Sequence, residues 1–156
     1  MAADPETIRR VLAAVPQQNP FRFIGGILEL DTEHIVGAYR FREDEYFYRG
    51  HFPGRPITPG VILIETMAQT GVVAFGIYLN MIQAGMKPED MGRLMTLFTL
   101  AENVEFTGIV SPGEKVIVRG EKIFFRRGSL KAKVGMERES GETVCWGVLS
   151  GAGVSS

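Results

Sequence analysis

One acidic side chain, Glu65, interrupts a stretch from Val61 to Asn80 that otherwise carries no charge. Val61, Ile62, Leu63, Ile64, Met67, Ala68, Val72, Val73, Ala74, Phe75, Ile77, Tyr78 and Leu79 fall on every side of a helical wheel, the pattern of a helix enclosed by protein. A carboxylate kept ionised in such surroundings costs on the order of several kcal/mol. Glu65 must therefore be paired, be neutralised by a raised pKa, or stand at a cavity. In the last two cases it can give or take a proton near neutral pH.

Two plainer readings compete with that one. Glu65 could turn outward and be solvated, as most charged residues on helices are. The run also reaches the length of about 20 residues that crosses a bilayer. A carboxylate in its middle, Gln69, two glycines and the lack of basic flanks argue against a membrane span.

The elements that must hold Glu65 lie just upstream, in the proline- and glycine-punctuated stretch HFPGRPITPG, His51 to Gly60. Thr58 suits an N-cap, and Pro59 suits the first helical position because its φ is already helical and its missing N–H would be unpaired anyway. The helix is predicted to start there.

A chain of 156 residues suffices for one domain, 1–156, or for a subunit that shares its core across an interface. Seventeen basic and eighteen acidic residues give a net charge of −1, so no overall field draws the protein to nucleic acid or an anionic membrane. The single cysteine, Cys145, excludes an internal disulfide and, with only two histidines, leaves too few ligands for a structural zinc site. MAADPETIRR is polar where a signal peptide would be apolar, and a reducing, cytoplasmic setting is expected.

Asp4-Pro5-Glu6 followed by Ile8, Val11, Leu12 and Val15 predicts a short amphipathic helix ended by Pro16. Phe21, Phe23 and Ile27-Leu28 suggest a strand interrupted at Gly25-Gly26, and a second strand spans His34 to Phe41. His34, beside Glu33, reads as a surface residue. Gln83 to Glu89 reads as a loop. Leu94 to Phe106, Glu114 to Arg126, Leu130 to Glu137 and Thr143 to Leu149 are strand-like and separated by turn signals. Leu130, Ala132, Val134 and Met136 alternate with polar residues, and Val144, Trp146 and Val148 are expected to share a buried face. The object for such a sheet to wrap is the apolar helix, so the expected fold is α+β, a curved antiparallel sheet around one long helix.

HFPGRPITPGVILIETMAQ resembles the signature of the β-hydroxyacyl-acyl-carrier-protein dehydratases of the FabZ/FabA type. That motif runs His-Phe-Pro-Gly, Pro, two residues, Pro-Gly, then an acidic residue ahead of Met-Ala-Gln, and every position is filled. PFRFIGGILEL and NVEFTGIVSPGEKV extend the likeness over most of the chain. The resemblance implies a hot-dog fold, which agrees with a helix inside a sheet. It implies His51 and Glu65, fourteen positions apart, as catalytic residues paired across a dimer interface, with further assembly into a trimer of dimers an open extension. It implies no cofactor and no metal, an acyl carrier protein as partner, and Glu rather than Asp as the mark of a simple dehydratase.

Dehydration of a 3-hydroxyacyl thioester needs one base and one acid. Neutral His51 can take the α-proton and a protonated Glu65 can assist departure of the β-hydroxyl. Backbone N–H groups at the helix start, at Gly60 and Val61, suit the thioester oxygen, and Gln69, one turn beyond Glu65, suits its carboxyl; plain turn chemistry at Gly60 and a simple buried amide at Gln69 are the alternative readings. Three places depart from the family pattern: Gly25-Gly26 for Asp-Arg, Thr58 for a frequent Met, and Thr107-Gly108 for a usually basic pair. They bear on the carrier and the acyl preference, since a basic rim is what an acidic carrier would dock against. Arg126, Arg127, Lys131 and Lys133 are a substitute rim or simply a solvated hairpin. The rival functions are a hot-dog acyl thioesterase and a non-catalytic acyl-binding or assembly subunit.

Overall fold

The computed structural model describes residues 1–155, with side chains throughout except at 91–95, 154 and 155. The single-domain span 1–156 ends on Ser156, which lies outside the described residues. Helix α1, Pro5–Ala14, is capped by Asp4, whose Oδ1 accepts the Thr7 N–H at 2.8 Å. Strand β1 is Gly26–Leu30 and β2 is His34–Arg40. A short 3₁₀ turn, Tyr46–Arg49, precedes the HFPG loop. The apolar run then forms one helix, α2, Gly60–Ala84, closed by Gly85 at φ 65°. Strands β3, Leu94–Phe106, β4, Lys115–Arg126, β5, Ser129–Arg138, and β6, Thr143–Ser155, complete a six-stranded antiparallel sheet in the order β1-β2-β4-β5-β6-β3. This is the hot-dog architecture expected from the sequence, and β3 and β1 are its two edges.

The sheet can close on α2 because glycine stands where the two surfaces meet. A Cβ at Gly71 would lie 2.6 Å from Val134 Cγ2, and one at Gly151 would lie 2.4 Å from Val72 Cγ1. Between these contacts Met67, Ala74, Phe75 and Leu79 are buried against the sheet. Each large side chain among them contributes about 1.5–3 kcal/mol of burial free energy. By length and composition α2 could cross a membrane, but 72% of its most apolar window is buried inside the protein. The burial fits a core helix. Enclosure is incomplete at its ends, where Val61 is 73% and Ile82 54% exposed.

Four local expectations need correction. Phe21 to Ile24 is not strand, because the Phe23 N–H is taken by Gln69 Oε1 at 2.6 Å; pairing starts with Gly25 N–H to the Ala38 carbonyl. Gln83 and Ala84 belong to α2 rather than to the following loop. In β6 the inward positions past Val144 are Cys145, Gly147, Leu149 and Gly151, while Trp146 and Val148 are only part-buried. The apparent apolar alternation is offset by a β-bulge: Met136 pairs with Cys145 but Glu137 with Thr143, so Val144 is an extra residue and the inward parity changes after it. The fourth correction, at Thr58, belongs to the site.

Candidate active site

His51 is fixed by backbone. Its N–H donates to the Phe47 carbonyl (3.1 Å), its carbonyl accepts the Ile57 N–H (2.9 Å), and its ring Nδ1 lies 3.0 Å from the Ile57 carbonyl oxygen. A carbonyl can only accept, so Nδ1 carries a hydrogen and Nε2 is the nitrogen that has a lone pair in the neutral ring. Phe52 to Arg55 closes as a reciprocal turn, N–H to carbonyl at 3.2 and 2.9 Å, with Gly54 at φ 73°, where a side chain would be strained. Phe52 stacks on the imidazole, centroids 4.2 Å apart. The result is a half-buried imidazole whose orientation is set by the main chain.

The start of α2 differs from expectation. Pro59 occupies the N-cap, and its carbonyl accepts the N–H groups of Ile62 (2.9 Å) and Leu63 (3.1 Å). Thr58 does not cap; its buried Oγ1 is 2.7 Å from Tyr48 Oη, a pairing unreadable from local spacing. Burial pushes the Tyr48 phenol up to about 12, partly offset by this bond. The N–H groups of Gly60 and Val61 meet no acceptor among the described residues. They stand at the positive end of the helix dipole. A Cβ at Gly60 would come within 3.1 Å of the Phe106 ring, so glycine keeps this end open under an aromatic cover that sequence reasoning missed.

Glu65 is half-buried in apolar surroundings, and burial raises its pKa, with a smaller opposing effect from its hydrogen bond to Gln69. Gln69 Nε2 donates to Glu65 Oε2 at 2.9 Å and to the Phe21 carbonyl at 3.1 Å, while Gln69 Oε1 accepts the Phe23 N–H. The fully buried amide thus ties the carboxyl to the segment before β1. Gln69 also opens a stretch of wider π-type turn, Gln69–Ala74, that no periodicity in the sequence signals. Glu65 faces a cleft of about 80 Å³ shared with Gln17, Ala68, Val72, Val73, Thr96 and Phe98. Two larger hollows, about 640 Å³ beside Arg9 and Pro88 and about 320 Å³ between His34 and Trp146, contain none of these groups.

Within one chain His51 and Glu65 are not hydrogen-bonded, and His51 does not line the Glu65 cleft. His34 is part-exposed and held by Asp31 and Glu29, away from the helix. Arg126 lies over the Phe124 ring, Lys133 over Trp146, and Lys131 pairs with Glu102 at 3.2 Å. Among the described residues no three His, Cys, Asp or Glu side chains converge as a metal site. A second buried carboxylate, Glu45, escaped sequence reasoning because it sits in a charged run, Arg42-Glu43-Asp44-Glu45, that reads as a solvated loop.

Residues 15–139 match the FabA-like domain family. The chain is 38% identical to a 3-hydroxyacyl-[acyl-carrier-protein] dehydratase FabZ of Roseiflexus sp. (strain RS-1), over 92% of this chain and 93% of that one. It is 32% identical to the FabZ of Thermus thermophilus, over 93% and 98%. Among solved structures it is similar in fold to the dehydratase heterocomplex ApeI:P from Xenorhabdus doucetiae, with a TM-score of 0.74 at 11% identity over 94% and 91%. A mutant thioesterase from Pseudomonas aeruginosa shares the fold with a TM-score of 0.62 at 13% identity over 96% and 94%. Near-complete coverage at these sequence identities places the chain with the dehydratases rather than with the thioesterases that share only its fold: it belongs to the FabA-like family, among its FabZ-type members.

Proposed function

We propose that this chain removes water from 3-hydroxyacyl thioesters carried on an acyl carrier protein, giving trans-2-enoyl thioesters in fatty-acid or related lipid biosynthesis in the cytoplasm. The observation that carries the reading is Glu65 itself: a carboxyl whose pKa burial raises, bonded by Gln69 and lining a cleft. His51 Nε2 takes the α-proton, and the electron pair released forms the double bond as the Cβ–O bond breaks. Glu65 delivers a proton to the departing oxygen. The N–H groups of Gly60 and Val61 hold the thioester oxygen as charge builds on it, which is worth most in a site closed to water.

The site is read as shared between two chains, a reading supported by the lack of a hydrogen bond between His51 and Glu65 within one chain. Phe52, Val61, Phe98 and Phe106 are large apolar side chains left exposed, and β3 offers an unpaired edge. A two-fold pairing of β3 edges would cover these side chains and bring His51 of one chain to Glu65 of its partner. The carrier would dock where Arg126, Arg127 and neighbouring lysines lie, and its pantetheine arm would enter between the chains. A spectrophotometric assay with a chain-length series of 3-hydroxyacyl thioesters tests the reaction. Enoyl absorbance should rise while the thioester stays intact; release of free thiol would instead identify a thioesterase.

A further inference from the structure

Strand β3 changes face just before it reaches the start of α2. Glu102 pairs with Val148 and Glu105 with Trp146, so three steps along β3 oppose two along β6 and one residue is extra. The bulge holds Asn103, whose φ of 53° lies in the left-handed region. Without the extra residue Phe106 would share the outward face of Glu102. With it, Glu105 is the outward residue and accepts the Trp146 indole N–H at 3.0 Å, while Phe106 turns inward opposite the buried Cys145. Bulges are over-represented beside active sites, where they re-aim a side chain. The strand is pinned just past the ring: the Thr107 N–H donates to the Val144 carbonyl (2.9 Å) and the Thr107 hydroxyl to that of Thr143 (2.8 Å).

What the re-aimed ring meets is Gly60. Its Cε1 and Cζ each lie 3.1 Å from where a Cβ at Gly60 would stand. Cα–Cβ bonds in a helix tilt toward its N-terminus, so a ring in that place flanks the N–H groups of Gly60 and Val61. Phe106 is nevertheless 49% exposed, too open for a residue whose task is to fill the core. A phenyl ring brings no N–H or O–H and no strong acceptor, so it leaves both N–H groups to a ligand while keeping water off one side of them.

We propose that Phe106 is a positioning residue for the thioester: its ring shields the Gly60 and Val61 N–H groups from water and confines the thioester oxygen to the place where they donate to it. The inference rests on the dehydratase reading above. An N–H donor stabilises charge developing on oxygen more strongly where water does not compete for it. The α-proton that His51 takes becomes acidic as charge moves onto that oxygen, so the ring acts on the chemical step more than on substrate affinity.

The test is Phe106→Leu, which stays apolar but loses the ring edge beside Gly60, compared with wild type. The infrared carbonyl stretch of bound, isotope-labelled butanoyl-pantetheine, a thioester with no hydroxyl to lose, should lie below its value in water for wild type and return part of the way in the variant. With 3-hydroxybutanoyl-pantetheine, kcat should fall roughly 10-fold, less than the 10²–10³-fold of deleting such a donor outright, and KM should stay within about threefold. A carbonyl stretch identical in the two proteins would overturn the proposal, because the ring would then be no part of the carbonyl's surroundings. A raised KM at unchanged kcat would overturn it too, since Phe106 would only be a wall of the cleft. So would losses that vanish at higher protein concentration, as the ring would then serve subunit association alone. Wild-type protein that shifts the carbonyl stretch yet forms no enoyl product would instead overturn the dehydratase reading itself.

Discussion

Two glutamates are withdrawn from water in this molecule, and they are withdrawn differently. Glu45, 2% exposed, accepts from the Tyr39 hydroxyl at 2.5 Å and from the Arg42 N–H and guanidinium, both at 3.2 Å. Its oxygens are surrounded by donors and its charge has a cation beside it. Among the described residues Glu65 has one donor, a neutral amide, and no cation, and it lines a cleft. Burial alone does not make a chemical group. A closed network commits a carboxylate to stability, whereas an incomplete one leaves it able to exchange a proton with a group that arrives with the substrate.

The contrast is sharpest in turnover. His51→Ala and Glu65→Gln should each lower kcat by about 10²–10⁴-fold, the range for losing a positioned acid or base. Both variants should keep the melting temperature of wild type within a few degrees. A folded variant of either kind with near-native turnover would end the proposed mechanism. Co-expressing the two inactive chains should restore part of the activity, because a shared site with both native groups forms in some heterodimers. A purified mixed dimer that stays inactive would mean that each site draws both groups from one chain.

Glu45→Gln should do the reverse. Losing the charge from a carboxylate with three donors costs about 1.5–3 kcal/mol of stability by denaturant titration. The folded fraction should keep near-wild-type kcat. A large loss of kcat at unchanged stability would show that Glu45 is part of the chemistry, and the comparison between the two glutamates would fail.

A third effect separates them by pH. Burial raises the Glu65 pKa above its value in the unfolded chain. The folded state therefore binds this proton more tightly, and the associated stability is complete below the unfolded pKa and lost as pH rises through the folded one. Glu65→Gln, which cannot ionise, escapes that loss. Its stability relative to wild type should increase as pH is raised from below 4.5, the ordinary value, through neutrality. A difference that does not change with pH would mean that Glu65 is solvated, the plain reading of a charged residue on a helix.

How much of this was legible in the sequence follows from the range over which each feature is determined. Glu65 stood out because the apolar residues around it in the chain state its environment, and the α+β wrap followed from turn signals and the alternation in β5. Coordinates were needed where a partner is distant in sequence. Nothing near Thr58 announces Tyr48, and nothing near Gln69 announces the Phe21 carbonyl and Phe23 N–H that hold it. The offset face of β6 is hidden because it follows from a bulge at Val144 against β5, a feature of strand pairing that no local alternation announces.

The smallest expected effect lies at the hinge between the two glutamates' surroundings. Tyr48, in the 3₁₀ turn that follows Glu45, bonds Thr58, which leads into the helix that carries Glu65. Tyr48→Phe removes one neutral hydrogen bond, worth roughly 0.5–1.5 kcal/mol net. It also strands the hydroxyl of Thr58, a residue that is only 5% exposed. Thr58→Val strands the tyrosine hydroxyl in turn, so each single change should cost more than the bond itself. The double variant, with two apolar groups of matching shape, should then lie closer to wild type than the two single losses added together. Turnover should change by less than about threefold in all three, because Thr58 anchors the helix start without facing the cleft and the N–H groups of Gly60 and Val61 are left in place. Strictly additive stability losses would show that the two hydroxyls act independently. A drop in kcat confined to the Thr58 variant would instead draw this residue, where the family often has Met, into the site.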